Sequence, residues 1–315
     1  MKSNNTTFFE LDFLPNKSMG AFAKSYEMSF PELKLTESEL IDFLNRKFQL
    51  LGNTDSHNIA ALITDDGEVA SGYGIVRNRY AQGVQTINVG LVCDVFTNAS
   101  YRKMGLFKRV SLLAIGREQF AATNFLIGFP IRDEVMPGHL SVGWKHLFDM
   151  PLWWSLPRIG SSRNITKNPD MSAIMFNPLE KDIAIKVTDE FLKWRFSLFK
   201  VDYYLISVPD SRDFAIVRKS KLKNIPFTCI VFLQSTNNKN ARTLVRKIRN
   251  LSLRLGTVGV IGCWNNSYAE DLNLKSSGLR QSSMTQKVIV RELNNFRCPS
   301  EEKCYRLSWM DSDTL

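Results

Sequence analysis

The chain has 315 residues, of which 44% are hydrophobic and 23% charged, a composition that excludes a disordered protein and allows two domains of ordinary size. No apolar run is long enough for a signal peptide or a membrane-spanning helix, so we expect a cytoplasmic protein without a membrane span. The net charge of +10 arises after residue 180, where 23 Lys and Arg face 13 Asp and Glu, and such a field attracts phosphorylated ligands, nucleic acid or an anionic surface.

The first third of the chain predicts two helices followed by a β-hairpin. The helices are expected at residues 18–30 and 35–51, and the strands at 59–64 and 69–77. Thr36 with Glu39 three residues later is a capping-box start for the second helix. Asp65-Asp66-Gly67 is a tight-turn signal between the two strands. This order of elements is typical of a mixed α/β protein.

Residues 84–119 predict a strand that runs into a phosphate-binding turn and a helix. Within the strand expected at 84–97, residues 89–97 are apolar and β-branched without helical spacing, whereas residues 105–119 have helical spacing. Gly105 lies at the helix start, where a glycine lets backbone N–H groups approach an anion closely. Cations stand on both sides of this glycine, namely Arg102, Lys103, Lys108 and Arg109. A short apolar strand is expected next, at residues 125–129.

The second half of the chain repeats this order after a stretch typical of a linker. Residues 156–180 are rich in Pro, Gly, Ser and Asn. Helices are then expected at 189–196 and 241–255, and strands at 203–208, 214–218, 228–234 and 258–263. The segment 237–242, which opens the second of these helices, has no glycine. We therefore expect a second, degenerate copy of the first arrangement that lacks the anion cradle; an unrelated α+β domain is the alternative.

The helix expected at 241–255 has an apolar face surrounded by arginine and lysine. Its apolar residues are Leu244, Val245, Ile248, Leu251 and Leu255, and its basic residues are Arg242, Arg246, Lys247, Arg249 and Arg254. A solvated basic face on a packed helix accounts for this pattern. The more specific alternative is that this basic face contacts a membrane surface or RNA.

Cysteine and histidine usage argues against a disulfide framework and against a metal centre. The five cysteines, Cys93, Cys229, Cys263, Cys298 and Cys304, are scattered and odd in number, which is typical of reduced thiols. Only three histidines occur, and no cysteine pair has a common zinc spacing. We expect no metal.

The segment 89–109 resembles the acetyl-CoA-binding motif of the GNAT N-acyltransferase superfamily, Arg/Gln-x-x-Gly-x-Gly/Ala. Arg102 and Gly105 are in register with this pattern, whereas Phe107 replaces its last small residue. The resemblance covers roughly residues 1–155. It implies an α/β fold with a mixed sheet and two tandem GNAT-like domains, the first at 1–155 with an acyl-CoA site. The second, at 181–315, would lack the pyrophosphate loop.

The same resemblance implies a set of residues that bind acyl-CoA, the co-substrate. The strand at Cys93–Phe96 would pair with the pantetheine amides, and a backbone N–H near Val95 would polarise the thioester carbonyl. The implied cofactor-binding residues are Cys93, Val95, Phe96, Thr97, Arg102, Lys103, Met104, Gly105, Leu106, Phe107 and Lys108. The acceptor amine would attack the carbonyl directly, with no metal involved.

Few side chains near this strand are able to handle the proton of the amine. His139 follows the strand at 125–129 in a region that faces the acceptor in the superfamily, so it is our candidate base; packing against Trp144 is its alternative role. Asp94 lies on the cofactor strand, and pairing with a cation explains it equally well. Asp133 and Glu134 are weaker candidates in the same loop as His139.

The acceptor side of the sequence resembles N-acyltransferases that act on nucleotide-linked deoxy amino sugars in bacterial surface-polysaccharide synthesis. Asp133, Glu134, Trp153 and Trp154 are the residues expected to contact such a substrate, because aromatic rings stack on bases and sugar faces. The acyl group would be acetyl or a short hydroxyacyl. Two alternatives stay open: a transferase that takes its donor from aminoacyl-tRNA, and a non-catalytic binding module. The glycine turn argues against the first, so nucleic acid is an unlikely partner.

Overall fold

The computed structural model describes residues 6–31, 34–50, 53–161, 163–170, 174, 182–198, 201–222 and 224–312. Seven α-helices lie in these residues: α1 (Met19–Ser29), α2 (Glu37–Phe48), α3 (Leu106–Phe120), α4 (Met136–Ser141), α5 (Asp189–Ser197), α6 (Asn238–Arg254) and α7 (Asn266–Asp271). The strands are β1 (Phe8–Leu11), β2 (Leu14–Pro15), β3 (Gln49–Leu50), β4 (Asn53–His57), β5 (Ile59–Thr64), β6 (Val69–Gln82), β7 (Gln85–Thr97), β8 (Phe125–Gly128), β9 (Lys145–Ser155), β10 (Ile165–Lys167), β11 (Ile183–Ile185), β12 (Tyr203–Ser207), β13 (Phe214–Leu222), β14 (Ile225–Gln234), β15 (Val260–Cys263), β16 (Arg280–Glu292) and β17 (Tyr305–Arg306). The mixed α/β class expected from the sequence is confirmed.

The described residues form two compact units, each assembled from three segments of the chain. The first unit takes its residues from 1–78, 87–146 and 289–298, and the second from 79–86, 147–288 and 299–315. The sequence instead predicts two consecutive domains that are separated by one linker at residues 156–180. Part of that linker, residues 162, 171–173 and 175–180, lies outside the described residues.

The sheet of the first unit contains the strand–turn–helix segment singled out in the sequence. Its strand order is β1-β5-β6-β7-β8-β16. Strands β1, β5 and β6 are antiparallel, and the predicted Asp65–Gly67 turn joins β5 to β6, whereas β7 and β8 are parallel and flank α3. Helix α3 buries Leu106, Val110 and Ala114 in one core with Tyr73 and other side chains of the sheet. The parallel β7–α3–β8 connection therefore places the helix start at the end of β7.

A capping box and an amphipathic pattern in the sequence define helix α2 of the first unit. Thr36 caps α2 through the predicted capping box, because its hydroxyl accepts from the Glu39 N–H while the Glu39 carboxylate accepts from the Thr36 N–H. Helix α2 buries Leu40, Phe43 and Leu44. This spacing is the amphipathic pattern that the sequence predicts.

The second unit has the strand order β9-β15-β14-β13-β12-β10. Only β14 and β15 are parallel in this series, and they flank α6, whose apolar residues Leu244, Val245 and Ile248 are fully buried in the core. The order β12, β13, β14, α6, β15 repeats the order β5, β6, β7, α3, β8 of the first unit. The tandem arrangement of two related domains stays a prediction.

One element differs from the sequence prediction within the stretch assigned to the linker. Strand β10 lies in it, and Ile165–Lys167 pair antiparallel with Tyr204–Ile206 of β12. The β-branched Ile165 and Thr166 favour a strand, and Asn164 and Asn168 flank it with positive φ angles. A composition rich in turn residues concealed this short strand.

The cysteines are all free thiols, and Cys93, Cys229 and Cys263 are buried in strands. Burial raises the pKa of Cys229 to about 12, so this thiol is protonated and unreactive at neutral pH. In the described part of the chain, no helix has the length and apolar character needed to cross a membrane.

Candidate active site

Strands β7 and β8 diverge at the position where the sequence predicts the donor site. Their parallel pairing extends from Val89 and Phe125 to Val92 and Gly128. Strand β8 ends there, whereas β7 continues to Thr97. Residues 93–97 therefore follow the last pair with β8, and a strand edge without a partner strand is where an extended ligand can pair.

The turn after β7 leads into a helix start that no side chain caps. Gly105 is the N-cap of α3 with φ of +72°, and in the described residues this helix start has no side-chain cap hydrogen bond. A side chain at Gly105 would project into open space, since nothing lies within 4 Å of the position that a Cβ would occupy. Lys103 also has positive φ, +67°. N–H groups without a cap at the positive end of a helix are suited to holding an anion.

The charges around this turn are positive and largely uncompensated. Arg102, Lys103 and Lys108 are exposed and have no carboxylate partner among the residues described. Arg109, by contrast, is engaged, because its guanidinium pairs with Glu10 at 2.5 Å and donates to the Phe8 carbonyl. Three of the four cations expected from the sequence therefore lack a carboxylate partner in the described structure, although the Arg102 guanidinium donates to the Thr97 carbonyl at 3.5 Å.

Phe107, the residue that departs from the motif, packs against α4. Its ring makes an edge contact with His139, with centroids 5.2 Å apart. It also lies so close to Gly138 that a Cβ there would approach the ring to 2.8 Å. A large side chain is accommodated after the turn because α4 offers a glycine opposite it.

The corresponding helix of the second unit starts in a different way. The Asn237 side chain caps α6 by accepting from the Asn240 N–H, at 2.9 Å. The buried Asp213 carboxylate accepts from the Thr236 N–H and from the Asn240 amide. The start of α6 is therefore capped by Asn237, and the protein's own Asp213 carboxylate binds the polar groups beside it.

Asp94 lies at the point of divergence and is bound to a lysine that the sequence did not reveal. The Lys47 ammonium of α2 donates to the Asp94 carboxylate at 2.7 Å, and the two side chains are only 3% and 10% exposed. Lys47 also lies 5.4 and 5.5 Å from the ring centroids of Phe43 and Phe48. Asp94 has a φ of +51°, a conformation that costs energy for any residue with a Cβ. The ion pair thus fixes an irregular residue in the cofactor strand.

His139 lies in α4 with its ring enclosed by aromatic side chains. It is 7% exposed, and its ring centroid lies 5.2 Å from that of Phe107 and 5.4 Å from that of Trp144. Its Nδ1 is buried without a hydrogen-bond partner in the described structure. Burial lowers the pKa of His139 to about 4, so the ring is neutral at pH 7. His139 therefore packs against Trp144, which is the alternative role that the sequence suggests for it. A neutral imidazole still has one ring nitrogen with a lone pair that can accept a proton.

The remaining strand residues divide into packing and potential contact groups. Cys93 and Phe96 are buried, and the Phe96 ring packs against Phe22 of α1 with centroids 5.3 Å apart. Val95 and Thr97 are partly exposed. The side chain of Phe96 therefore belongs to the core, and its carbonyl accepts from the Ser71 hydroxyl at 2.8 Å.

The residues expected on the acceptor side lie in different surroundings. Asp133 and Glu134 are exposed in a short 3-10 turn directly before α4. Trp153 is 7% exposed and belongs to the core of the second unit, where a packing role accounts for it. Trp154 is partly exposed and lies 5.9 Å from the Arg280 guanidinium. Their contact with a substrate stays a prediction.

A cleft of about 650 Å³ on the first unit contains none of the predicted site residues. It is lined by Asp12, Phe13, Arg77, Leu112, Leu113, Gly116, Arg117 and Ala121. Arg77 and Arg117 both donate to the buried Glu118 carboxylate, and Arg117 also donates to the Asp12 carbonyl. These bonds tie α3 to the N-terminal segment, so the polar groups beside the cleft serve the fold.

Comparison with known proteins identifies the fold. No protein-family model and no curated protein sequence matches the chain. Solved structures do: a GCN5-related N-acetyltransferase from Anabaena variabilis has a TM-score of 0.64 at 11% identity, over 91% of this chain and 73% of that one. One from Kribbella flavida gives 0.63 at 12%, over 92% and 72%, and Eis1 from Mycobacterium abscessus gives 0.59 at 10%, over 91% and 73%. The chain has the fold of GCN5-related N-acetyltransferases.

Proposed function

We propose that this protein is an acyl-CoA-dependent N-acyltransferase whose donor site lies in the first unit. The observation that supports it is the continuity of three features on one segment. Strand β7 outruns β8 after Val92, the chain then turns at Gly105, and α3 starts there without a cap. A long ligand with an extended, amide-bearing arm and a diphosphate matches this sequence of features.

In this proposal the turn and the strand edge hold the two halves of acyl-CoA. The N–H groups at the start of α3 bind the pyrophosphate together with Arg102, Lys103 and Lys108. Met104, Leu106 and Phe107 complete the turn. The backbone of Cys93–Thr97 pairs with the pantetheine amides. The Val95 N–H would polarise the thioester carbonyl, where negative charge develops in the transition state.

The transfer itself is a direct attack of an amine on the thioester. The amine lone pair forms the new C–N bond, the C–S bond breaks, and CoA leaves as a thiolate. The proton released by the nitrogen must reach a base, and the thiolate takes up a proton as it becomes CoA thiol. We assign the base role to His139, whose buried Nδ1 has no partner in the described structure. Asp94 is engaged by Lys47, so we assign it a positioning role.

Replacing His139 by glutamine tests this assignment through two readouts. We expect kcat to fall about 100-fold, the lower end of the range for a general base, while KM for acyl-CoA is retained. The pH dependence of stability should change as well. Because folding lowers the pKa of His139 to about 4, the unfolded chain binds more protons below pH 6.5. Stability from this group is therefore present above pH 6.5 and lost as the pH falls towards 4.

For the native protein this loss amounts to about 2 kcal/mol between pH 7 and pH 5. Urea unfolding at the two pH values should show the loss in the native protein and not in His139→Gln. His146→Gln serves as the control, because His146 is exposed. If the free energy of unfolding of His139→Gln falls between pH 7 and pH 5 by as much as that of the native protein, the argument from burial of His139 is wrong. An unchanged kcat would remove His139 from the mechanism.

The acceptor that we propose is the amino group of a nucleotide-linked deoxy amino sugar, as used in lipopolysaccharide or capsule synthesis. The sequence resemblance supports it, and so does the excess of 23 basic over 13 acidic residues after residue 180, since a diphosphate is attracted by such a field. Asp133 and Glu134 are exposed in the first unit and are proposed to contact the sugar; Trp154, partly exposed in the second unit, is proposed to stack on a base. Trp153 would support Trp154 from the core.

A thermal-shift titration with CoA tests the proposal, with dephospho-CoA and ATP as comparison ligands. A ligand at about 100 times its Kd adds about 2.7 kcal/mol of stability, which is a readable shift. We expect a shift that is selective for CoA, followed by acyl transfer to a nucleotide-linked amino sugar and not to the free sugar. No shift with any ligand would favour the aminoacyl-tRNA-dependent or non-catalytic alternatives.

A further inference from the structure

Exposed aliphatic side chains gather around the C-terminal end of α6 in the second unit. Leu253 and Val258 are each 50% exposed, Ile225 is 48% exposed, and Leu156 and Ile159 are 61% and 87% exposed. Leucine, isoleucine and valine side chains at this exposure do not gain the free energy that burial of their apolar surface would provide. A group of them on one surface marks a contact site.

Hydrogen bonds between three segments bring these side chains together. The Arg249 guanidinium donates to the Leu156 carbonyl at 2.9 Å, and the Arg158 N–H donates to the Arg249 carbonyl at 3.1 Å. The Val258 N–H donates to the Pro226 carbonyl at 3.0 Å, which places Val258 beside Ile225. We call this the α6 end surface: residues 156–159, 225 and 249–258.

The α6 end surface carries three arginines, Arg158, Arg249 and Arg254, and the Lys219 ammonium donates to the Leu255 carbonyl beside them at 2.9 Å. The segments 156–159, 219–225 and 249–258 contain no Asp or Glu. Neither Arg158 nor Arg254 has an ion-pair partner in the part of the chain described. The neighbouring Arg158 charge contributes to lowering the pKa of Arg249, after burial, as expected where cations repel one another.

We propose that the α6 end surface binds an anionic lipid bilayer, with the aliphatic side chains entering the interface and the arginines meeting lipid phosphates. Aliphatic residues next to unpaired arginines are the combination that interfacial binding requires. A second copy of this chain would bring the same positive charges together and is disfavoured. RNA would be contacted by aromatic and polar side chains, whereas the exposed apolar residues here are leucine, isoleucine and valine.

Co-sedimentation of the full chain with phosphatidylcholine vesicles, with and without phosphatidylglycerol, tests the proposal. We expect binding only to the vesicles that contain phosphatidylglycerol, and release at high salt. Arg158→Gln and Arg254→Gln should each weaken binding about fivefold, the factor expected for one cation near an anionic surface. The double variant Ile159→Ser/Leu253→Ser should abolish detectable binding.

Two control variants make the test specific. Val84→Ser removes an aliphatic side chain that is fully exposed elsewhere, and Lys24→Gln removes an exposed cation from α1; both should bind like the native chain. Equal binding to neutral vesicles, or no vesicle binding, would overturn the proposal. So would binding of an RNA oligonucleotide instead of vesicles. Self-association that Ile159→Ser/Leu253→Ser abolishes would overturn it in favour of a contact between copies.

Discussion

Replacing Gly105 by glutamate is expected to abolish CoA binding while the protein stays folded. The new carboxylate would extend into the open space in front of the α3 start, where nothing lies within 4 Å of a Cβ. There it would occupy the position proposed for the pyrophosphate and repel its charge. The stabilisation of about 2.7 kcal/mol expected from CoA at about 100 times its Kd should vanish, as measured by thermal shift.

Gly67→Glu is the matched control for this change. Gly67 also has positive φ, +84°, and open space around its Cβ position, but it lies in the β5–β6 turn. Each substitution should lower stability by a similar amount, about 1–2 kcal/mol for a non-glycine residue in the left-handed region. Only Gly105→Glu should lose the response to CoA. If Gly105→Glu still responds to CoA as the native protein does, the donor site is elsewhere.

The contrast between the two helix starts could be predicted from the sequence, because it depends on neighbouring residues. Gly105 precedes α3 and Asn237 precedes α6, and each residue type defines its cap through its own backbone freedom or side chain. The contact of the Asp213 carboxylate with Thr236 and Asn240 beside the α6 start could not be predicted, since that carboxylate comes from a different part of the chain. Sequence patterns report periodicity and local caps, not which distant side chain approaches a helix end.

Phe107 and His139 show the same limit at the candidate site. In the sequence, Phe107 is a mismatch to the motif. The structure shows why a large side chain is accommodated there, because Gly138 of α4 faces its ring. His139 could be placed near a helix start from Pro137 and Gly138. Its enclosure by Phe107 and Trp144, and hence its pKa of about 4, depends on packing between elements. The identity of the candidates was therefore predictable, and their protonation was not.

Lys47 is the residue that no sequence signal could have identified, because it lies 47 positions from its partner and reads as the basic end of an amphipathic helix. Buried at 4% exposure, it provides the positive charge beside Asp94 at the divergence of β7 from β8. In such surroundings both the ammonium and the carboxylate of an ion pair have lost most of their hydration. Removing one member leaves the other as an uncompensated buried charge.

Lys47→Met is therefore expected to lower the free energy of unfolding by about 3–5 kcal/mol, as measured by urea denaturation. The neighbouring Arg46→Met is the control on the same helix. Arg46 pairs with Asp42 at 3.0 Å, but the side chains are 32% and 54% exposed, so its loss should cost less than about 1 kcal/mol. Equal effects of the two substitutions would contradict the assignment of a buried, desolvated pair.

The double variant Lys47→Met/Asp94→Gly separates a positioning role of Asp94 from a role as proton acceptor. Glycine adopts the φ of +51° found at Asp94 without a Cβ penalty, and no unpaired charge remains in the double variant. Stability should recover by about 0.5–3 kcal/mol relative to Lys47→Met, the range found for coupled neighbours. If the pair acts by fixing the irregular residue of β7, acyl transfer should recover with stability. If stability recovers and kcat does not, Asp94 takes part in the chemistry, because the backbone that it shaped is then present without its carboxylate.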